Sequence, residues 1–402
     1  MKIGILTFHR AYNYGAFLQS YALSTQLTKH GNDVEVIDFT PKSLMDSYKP
    51  IRLLESATIE TNNPFRYRLK DIIYKLLNLG YIREKNSFDK IRNQYIWSDM
   101  DKLNLSSSCT ISDDIGEFMN EVDNKYDLII VGSDAIWNEY QSSCPFLYYL
   151  ENVRCKYKAS YAASAYGMSF EKLDKDHIAR IKKALDEFNL ISCRDDYTQN
   201  YISKIMHKGV NHTCDPTLFL TDEIFDNYAA SAKTKLEKVG VDLSRKLVFL
   251  MGDNNIGNKL ISVIGNEYIV VGMYNYNKYA DVNVPNLSPF EWAAAFRFFD
   301  FTVTSYFHCS IFSLINHVPV IAVDKKTSFS IEHKSKIKDL FERLDEMDSY
   351  YTSDVTVSDL HNAVVKVQNR KEDSVWVNKQ RNAIIKERIS GEQYISSINN
   401  LA

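Results

Sequence analysis

Glycine is scarce in this sequence, 14 in 402 residues, and neither G-x-G-x-x-G nor G-x-x-x-x-G-K-[ST] occurs. Dinucleotide oxidoreductases and P-loop enzymes therefore lose their usual support, since a phosphate cradle needs glycine where backbone must approach the ligand. The six cysteines (Cys109, Cys144, Cys155, Cys193, Cys214, Cys309) form no C-x-x-C pair and no cluster, which speaks against a disulfide framework and fits a reducing, cytoplasmic compartment. No uncharged apolar stretch approaches the ~18 to 20 residues of a membrane span. With 48 Lys and Arg against 51 Asp and Glu, the net charge is 48 − 51 = −3, too little positive charge for a general nucleic-acid footprint. There is no G-x-S-x-G elbow, and Cys309 beside His308 is a weak thiol nucleophile, because adjacency in sequence does not aim two side chains together. His207, His212, Cys214 and Asp215 lie close in sequence but match no zinc spacing, so no metal site is expected.

What is present describes an ordinary globular chain, 45% apolar and 25% charged, long enough for two domains. The apolar run Ile3 to Phe8 breaks at His9-Arg10 and reads as a first strand rather than a signal peptide. A helical pattern through Leu18, Leu23 and Leu27 and the strand Val34 to Asp38 follow, making a parallel strand, helix, strand unit. Residues 44–120 interrupt the rhythm with helical periodicity, and residues 65–92 carry eight Lys/Arg against three Asp/Glu. They read either as a surface helix pair covering a sheet edge or as a membrane-facing or acceptor-facing element. Alternation resumes at Asp127 to Gly132, Lys158 to Ser164 and Leu190 to Cys193. A second α/β set runs from Lys246 to Met251, through a helix start at Ser288-Pro289-Phe290-Glu291, to strands at Phe301 to Thr304 and Val318 to Val323. The expected plan is a first domain over 1–217 with a helical insertion at about 44–120, a linker at 218–243, a second domain over 244–375 and a C-terminal helix over 376–402 that packs back on the first domain.

Candidate chemistry gathers at the carboxyl ends of the expected strands. The loop His9 to Ala16 offers free helix N–H groups to an anion or polar substrate, and Gly15 permits close approach; Arg10, Asn13 and Gly15 are its candidates, with a purely structural loop as the other reading. Ser133 and Asp134 end a strand, where Asp134 serves as base or sugar ligand, or else caps a helix. Arg194 presents a fork suited to carboxylate or phosphate, or forms an ion pair with Asp195, Asp196 or a neighbour. His308, between a strand and a short apolar helix, suits proton transfer near neutral pH. Lys325, Lys326, His333, Lys334 and Lys336 form a basic run that either holds a phosphate or is solvated surface.

In order and spacing these segments resemble the polysaccharide pyruvyl transferase family. The matching pieces are Ile3 to Thr7 with Asn13 to Ala16, Ile130 to Asp134 with Trp137-Asn138, Ser160 to Ser164, Ile191 to Asp195, Asp215-Pro216-Thr217 and Asp300 to His308. The resemblance implies two Rossmann-like domains of glycosyltransferase-B type with the site between them. It also implies phosphoenolpyruvate as co-substrate with no cofactor, and a sugar of a surface-polysaccharide or lipid-linked precursor as acceptor. His308 matches the family histidine, the proton donor; Arg194 matches the arginine that grips the donor. Asn13, Gly15, Arg10, Ser133, Asp134, Ser164, Tyr306, Lys325 and Lys326 are expected to line the substrates. One position departs: where the family often has an arginine two residues before the histidine, this chain has Tyr306. That departure leaves open a different anionic donor. Alternatives on the same frame are a glycosyltransferase using a nucleotide-sugar and a non-catalytic glycan-binding protein. Peripheral membrane contact through residues 65–92, at the inner face of the membrane, belongs to the same expectation, and the oligomeric state stays open.

Overall fold

The computed structural model describes residues 1–46, 64–139, 144, 146–327 and 333–401; residues 47–63 of the expected insertion lie outside them. In the first half, β1 (Lys2–Leu6) leads through a loop to α1 (Tyr14–Lys29), and β2 (Asp33–Val36) returns beside β1. Then come β3 (Phe39–Thr40), α2 (Lys42–Asp46), the helix pair α3 (Pro64–Leu77) and α4 (Leu79–Tyr95), β4 (Thr110–Ile111) and α5 (Ile115–Val122). β5 (Leu128–Val131) pairs with the other side of β1, and β6 (Tyr157–Ser160) with β5, so the parallel order is β2-β1-β5-β6. The run Leu128-Ile129-Ile130-Val131 is fully buried, as expected of a parallel strand covered on both faces. Beyond β6 lie α6 (Lys175–Leu185), β7 (Ser192–Cys193), α7 (Asp196–Met206) and β8 (Asn211–His212). Single bridges at Ala159 to Leu190 and Ala163 to Cys193 attach the β7-β8 pair to this sheet.

The second half begins with α8 (Asp222–Lys238), then β9 (Lys246–Met251), α9 (Asn254–Ile264), β10 (Tyr268–Gly272), β11 (Val282–Asn283), α10 (Pro289–Ala295), β12 (Phe301–Thr304), α11 (Phe307–Ile315) and β13 (Val320–Asp324). After the basic run come α12 (Lys336–Arg343), β14 (Tyr350–Thr352), α13 (Val357–Val367) and α14 (Ser374–Asn399). All neighbours in the six-stranded sheet are parallel, in the order β11-β10-β9-β12-β13-β14. Strand order reverses between β1 and β5 in one sheet and between β9 and β12 in the other, with Leu6 beside Val131 and Met251 beside Thr304. Crevices beyond such reversals are where open α/β sheets hold ligands.

The halves share one apolar core. Tyr14 stacks on Trp292 with centroids 5.2 Å apart, and its hydroxyl donates to the Leu287 carbonyl at 3.0 Å. Helix α14 crosses back to the first sheet, where the Tyr394 hydroxyl donates to the Ser160 carbonyl at 2.8 Å. Residues 222–238 are more than a connection: Phe225, Ala232 and Leu236 are buried in this core, and Lys235 pairs with Glu291 at 2.6 Å. The helix pair also departs from the expected sheet-edge cover. Helix α4 reaches the second half, where Arg92 Nη1 donates to the Tyr274 carbonyl at 3.1 Å and to Asn275 Oδ1 at 3.0 Å.

Candidate active site between the two halves

Helix α1 begins at Asn13 because its side-chain oxygen accepts the N–H groups of Gly15 and Ala16, at 2.9 and 3.3 Å. Those N–H groups, expected to be open to a substrate, are thus taken by the cap. What approaches Gly15 is His308: a Cβ added at Gly15 would collide with Nδ1 and Cγ of that ring. His308 lies in the first turn of α11 rather than in the loop before it. The turn from β12 is tight there, with the Tyr306 N–H donating to Thr304 Oγ1 at 3.1 Å.

The imidazole is 12% exposed, reachable from the cleft. Its Nε2 faces two residues of the first half, Gln19 Nε2 at 2.6 Å and Asp215 Oδ2 at 3.6 Å, and Gln19 also donates to Asp215 at 2.8 Å. Among the described residues Nδ1, which packs against Gly15, has no hydrogen-bond partner. Asp215 is fully buried; burial pushes its carboxyl up, but His308, Arg194 and the Thr217 hydroxyl outweigh that and hold it well below the usual carboxylate range.

Arg194 bonds to Asp215 Oδ2 through Nη1 at 2.9 Å and to Asp134 Oδ1 through Nη2 at 3.3 Å, while Nε, buried, has no partner among the described residues. Of the two readings the ion pair is the one observed, with Asp134 and Asp215 as partners rather than Asp195 or Asp196. A guanidinium between the buried Asp215 and the part-buried Asp134 fixes those carboxylates first. Asp134 has φ 77°, and its Oδ1 also accepts the Ala135 N–H at 2.8 Å. Burial raises its pKa, yet Arg194, His308 and Lys336 together bring it below the ordinary value. Gly132 just before it has φ 127°, and a Cβ there would collide with the Tyr161 carbonyl oxygen. Only glycine lets this turn deliver Asp134. The neighbouring Ser133 hydroxyl is buried and unpartnered among the described residues.

Three side chains missing from the leading candidates complete the site. Gln19 sits on the buried face of α1, with a helical glutamine as its only signal. Asp215 stands in the Asp215-Pro216-Thr217 segment but reads locally as a turn cap, which it also is. Lys336, at the start of α12, holds its ammonium 5.8 Å from the Phe307 ring and 5.7 Å from the Tyr166 ring. Arg194 lies 4.6 Å from the same Phe307 ring. Burial lowers the Lys336 pKa and Arg194 adds to the effect, while Asp134, Asp195 and Asp215 oppose it. Among the described residues no carboxylate pairs with it.

Other expected positions lie elsewhere. Arg10 is bound to Asp38, through Nη2 at 2.6 Å, together with His9. Ser164 is fully buried and donates to Asp195 at 2.6 Å, which fixes the cap of α7 rather than a substrate. Lys326 pairs with Asp354 on the surface. Lys325 and Tyr306 line a cavity beside the site. Among the described residues no group of three His, Cys, Asp or Glu is placed to hold a metal ion.

The family model for polysaccharide pyruvyl transferases matches residues 13–326. The chain belongs to that family. Membership makes this pyruvyl transferase family member a transferase enzyme of polysaccharide biosynthesis. No curated protein sequence matches significantly. Among solved structures it resembles UDP-N-acetylglucosamine 2-epimerase from Rickettsia bellii, at 10% identity and TM-score 0.51, over 99% of this chain and 97% of that one. The UDP-GlcNAc 2-epimerase from Methanocaldococcus jannaschii is similar at 12% identity and TM-score 0.50, over 100% of both chains. At such identities the likeness concerns fold, and the fold is two Rossmann-like halves of glycosyltransferase-B type.

Proposed function

We propose that the protein forms a pyruvate ketal on a sugar of a surface-polysaccharide or lipid-linked glycan precursor, with phosphoenolpyruvate as donor. The observation that carries this reading is a histidine of the second half seated on Gly15 of the first and facing Asp215, which also binds Arg194. With Asp215 and Gln19 at Nε2, His308 delivers a proton to the methylene carbon of the donor. Positive charge then develops at the adjacent carbon, where one sugar hydroxyl adds and gives up its proton. A second hydroxyl of the same sugar displaces phosphate, and the product is the ketal plus inorganic phosphate.

The donor is multiply anionic, and Arg194 is already balanced by two carboxylates. Lys336 has no carboxylate partner among the described residues, and its place beside Phe307 suits the carboxylate or phosphate of the donor. Tyr306 in place of an arginine is therefore compatible with this donor. We assign the reaction to the cytoplasm, a reducing compartment that suits six free cysteines. No described helix is long and apolar enough to cross a membrane. Exposed Leu69, Ile73, Leu76 and Leu77 on the basic helix α3 are the surface we assign to peripheral contact with a membrane carrying the acceptor.

The test is release of phosphate from phosphoenolpyruvate in the presence of a panel of lipid-linked and nitrophenyl glycosides. His308→Ala should reduce the rate by about 10²-fold or more, and Lys336→Ala should raise KM for phosphoenolpyruvate about tenfold, with Lys336→Arg restoring most of it. Phosphate release that His308→Ala leaves unchanged would refute the reading.

A further inference from the structure

A cavity of about 430 Å³ opens beside Tyr306, two residues from His308. One wall is the carboxyl edge of the second sheet, at Leu250 and Met251, and the facing wall is α4 of the insertion, through Tyr81 and Lys85. This is the reversal point of a doubly wound sheet, where a ligand is expected. Three rings line it, those of Tyr81, Tyr276 and Tyr306, with the first two 5.6 Å apart.

The amides have distinct states. Asn275 is held by Arg92 at 3.0 Å, and Asn277 is bonded within its own loop, accepting the Tyr279 N–H at 2.9 Å. Among the described residues the Asn254 amide and the Tyr81 and Tyr276 hydroxyls make no hydrogen bond, so they are available to a ligand. Aromatic faces with uncommitted amide and hydroxyl groups at the rim match a pyranose, whose C–H faces stack and whose hydroxyls need both donors and acceptors.

A nucleoside diphosphate fits less well. The start of α9, where a doubly wound fold offers free N–H groups to phosphate, is occupied by the Asp253 carboxylate, which accepts the Ile256 N–H at 3.0 Å. An anion at that helix start meets a carboxylate; of the three lysines that also line the cavity, Lys85 pairs with Asp89 at 2.5 Å and Lys325 lies 5.6 Å from the Tyr306 ring centroid.

Building on the pyruvyl transfer reading, we propose that this cavity is the acceptor subsite and takes one pyranose unit of the glycan, stacked on Tyr306 with its hydroxyls toward His308. Tyr306 stands at the cap of α11, two residues from His308, and is 37% exposed to the cavity. The side chain that displaces an arginine of the family pattern therefore supplies a stacking face. Phe307 turns instead toward Arg194 and Lys336, so donor and acceptor approach His308 from different sides.

Saturation-transfer NMR on the full chain tests this without donor, using methyl β-galactopyranoside, methyl β-glucopyranoside and methyl α-mannopyranoside. At least one should show saturated ring protons, weakened tenfold or more by Tyr306→Ala, kept by Tyr306→Phe and by His308→Ala, and not displaced by uridine diphosphate. Absence of saturation with all three, survival of the signal in Tyr306→Ala, or displacement by uridine diphosphate overturns the proposal. If glycosides bind as described but phosphoenolpyruvate releases no phosphate, the subsite stands and the pyruvyl reading falls. Turnover whose acceptor KM is unchanged in Tyr306→Ala leaves the pyruvyl reading and removes the subsite.

Discussion

Gly15 and His308 show how little room the site leaves. Gly15 occupies the first turn of a helix, where alanine is the better helix former by ~1 kcal/mol, so the glycine is kept for contact rather than for helix stability. Gly15→Ala is expected to lower kcat at least tenfold and to lower the melting temperature as well, because the added methyl must push aside an imidazole that is held by Gln19 and whose own Cβ would lie 2.8 Å away. Paired thermal unfolding and phosphate-release measurements check this; a variant with full kcat would remove the contact from the account. His308 and Arg194 were legible in the sequence because a histidine and an arginine at strand ends are unusual choices for packing. Gln19 was not, since it contacts a ring 289 positions away and nothing in its own helix marks it. Asp215 was half legible: the same carboxylate caps a turn and faces a histidine, and only the first job has a local signal.

Among the elements, α12 is docked to the first half by ion pairs as well as by packing. Arg343 and Lys334 both pair with Asp196, and the His212 ring at the end of β8 lies between Arg343, at 3.2 Å, and the Arg194 carbonyl, at 2.8 Å. Burial and then the Arg343 charge lower the His212 pKa from 6.5 to about 4, against Arg194's carbonyl, Asp196 and Asp195. The unfolded chain takes up this proton near pH 6.5 and the folded one only near 4. Stability is therefore complete above 6.5, declines as pH falls toward 4, and stays lost below, by about 3 kcal/mol. Asp339 nearby, raised to about 6 mainly by burial, works in the opposite direction but is common to wild type and variant. Urea unfolding at pH 7 and pH 4 should show His212→Gln losing about 3 kcal/mol less than wild type; equal losses would contradict the assignment. Element boundaries were read well where apolar runs or caps are local, as at β5 and at Ser288-Pro289. They were read poorly where tertiary contact decides, as for α4, whose Arg92 finds its partners in the other half.

At the scale of the whole molecule, two doubly wound sheets turn their reversal points toward one cleft, and the shared core around Tyr14, Trp292 and Phe290 joins the halves. The α/β alternation made this plan readable from the sequence. The pairing of Gly15 with His308 was not readable, because it depends on how one half is set against the other. The shared apolar core holds the two sets of residues together without ligand, so His308 and Asp215 already face one another. His308 is proposed to protonate the methylene carbon of phosphoenolpyruvate. The most direct measurement runs the reaction in deuterium oxide with an accepted glycoside and examines the product by mass spectrometry and NMR. A ketal carrying at least one deuterium on its methyl carbon from wild type, and no product from His308→Ala, is the predicted result; a product without deuterium, one retaining the vinyl methylene, or an undiminished yield from His308→Ala would contradict it.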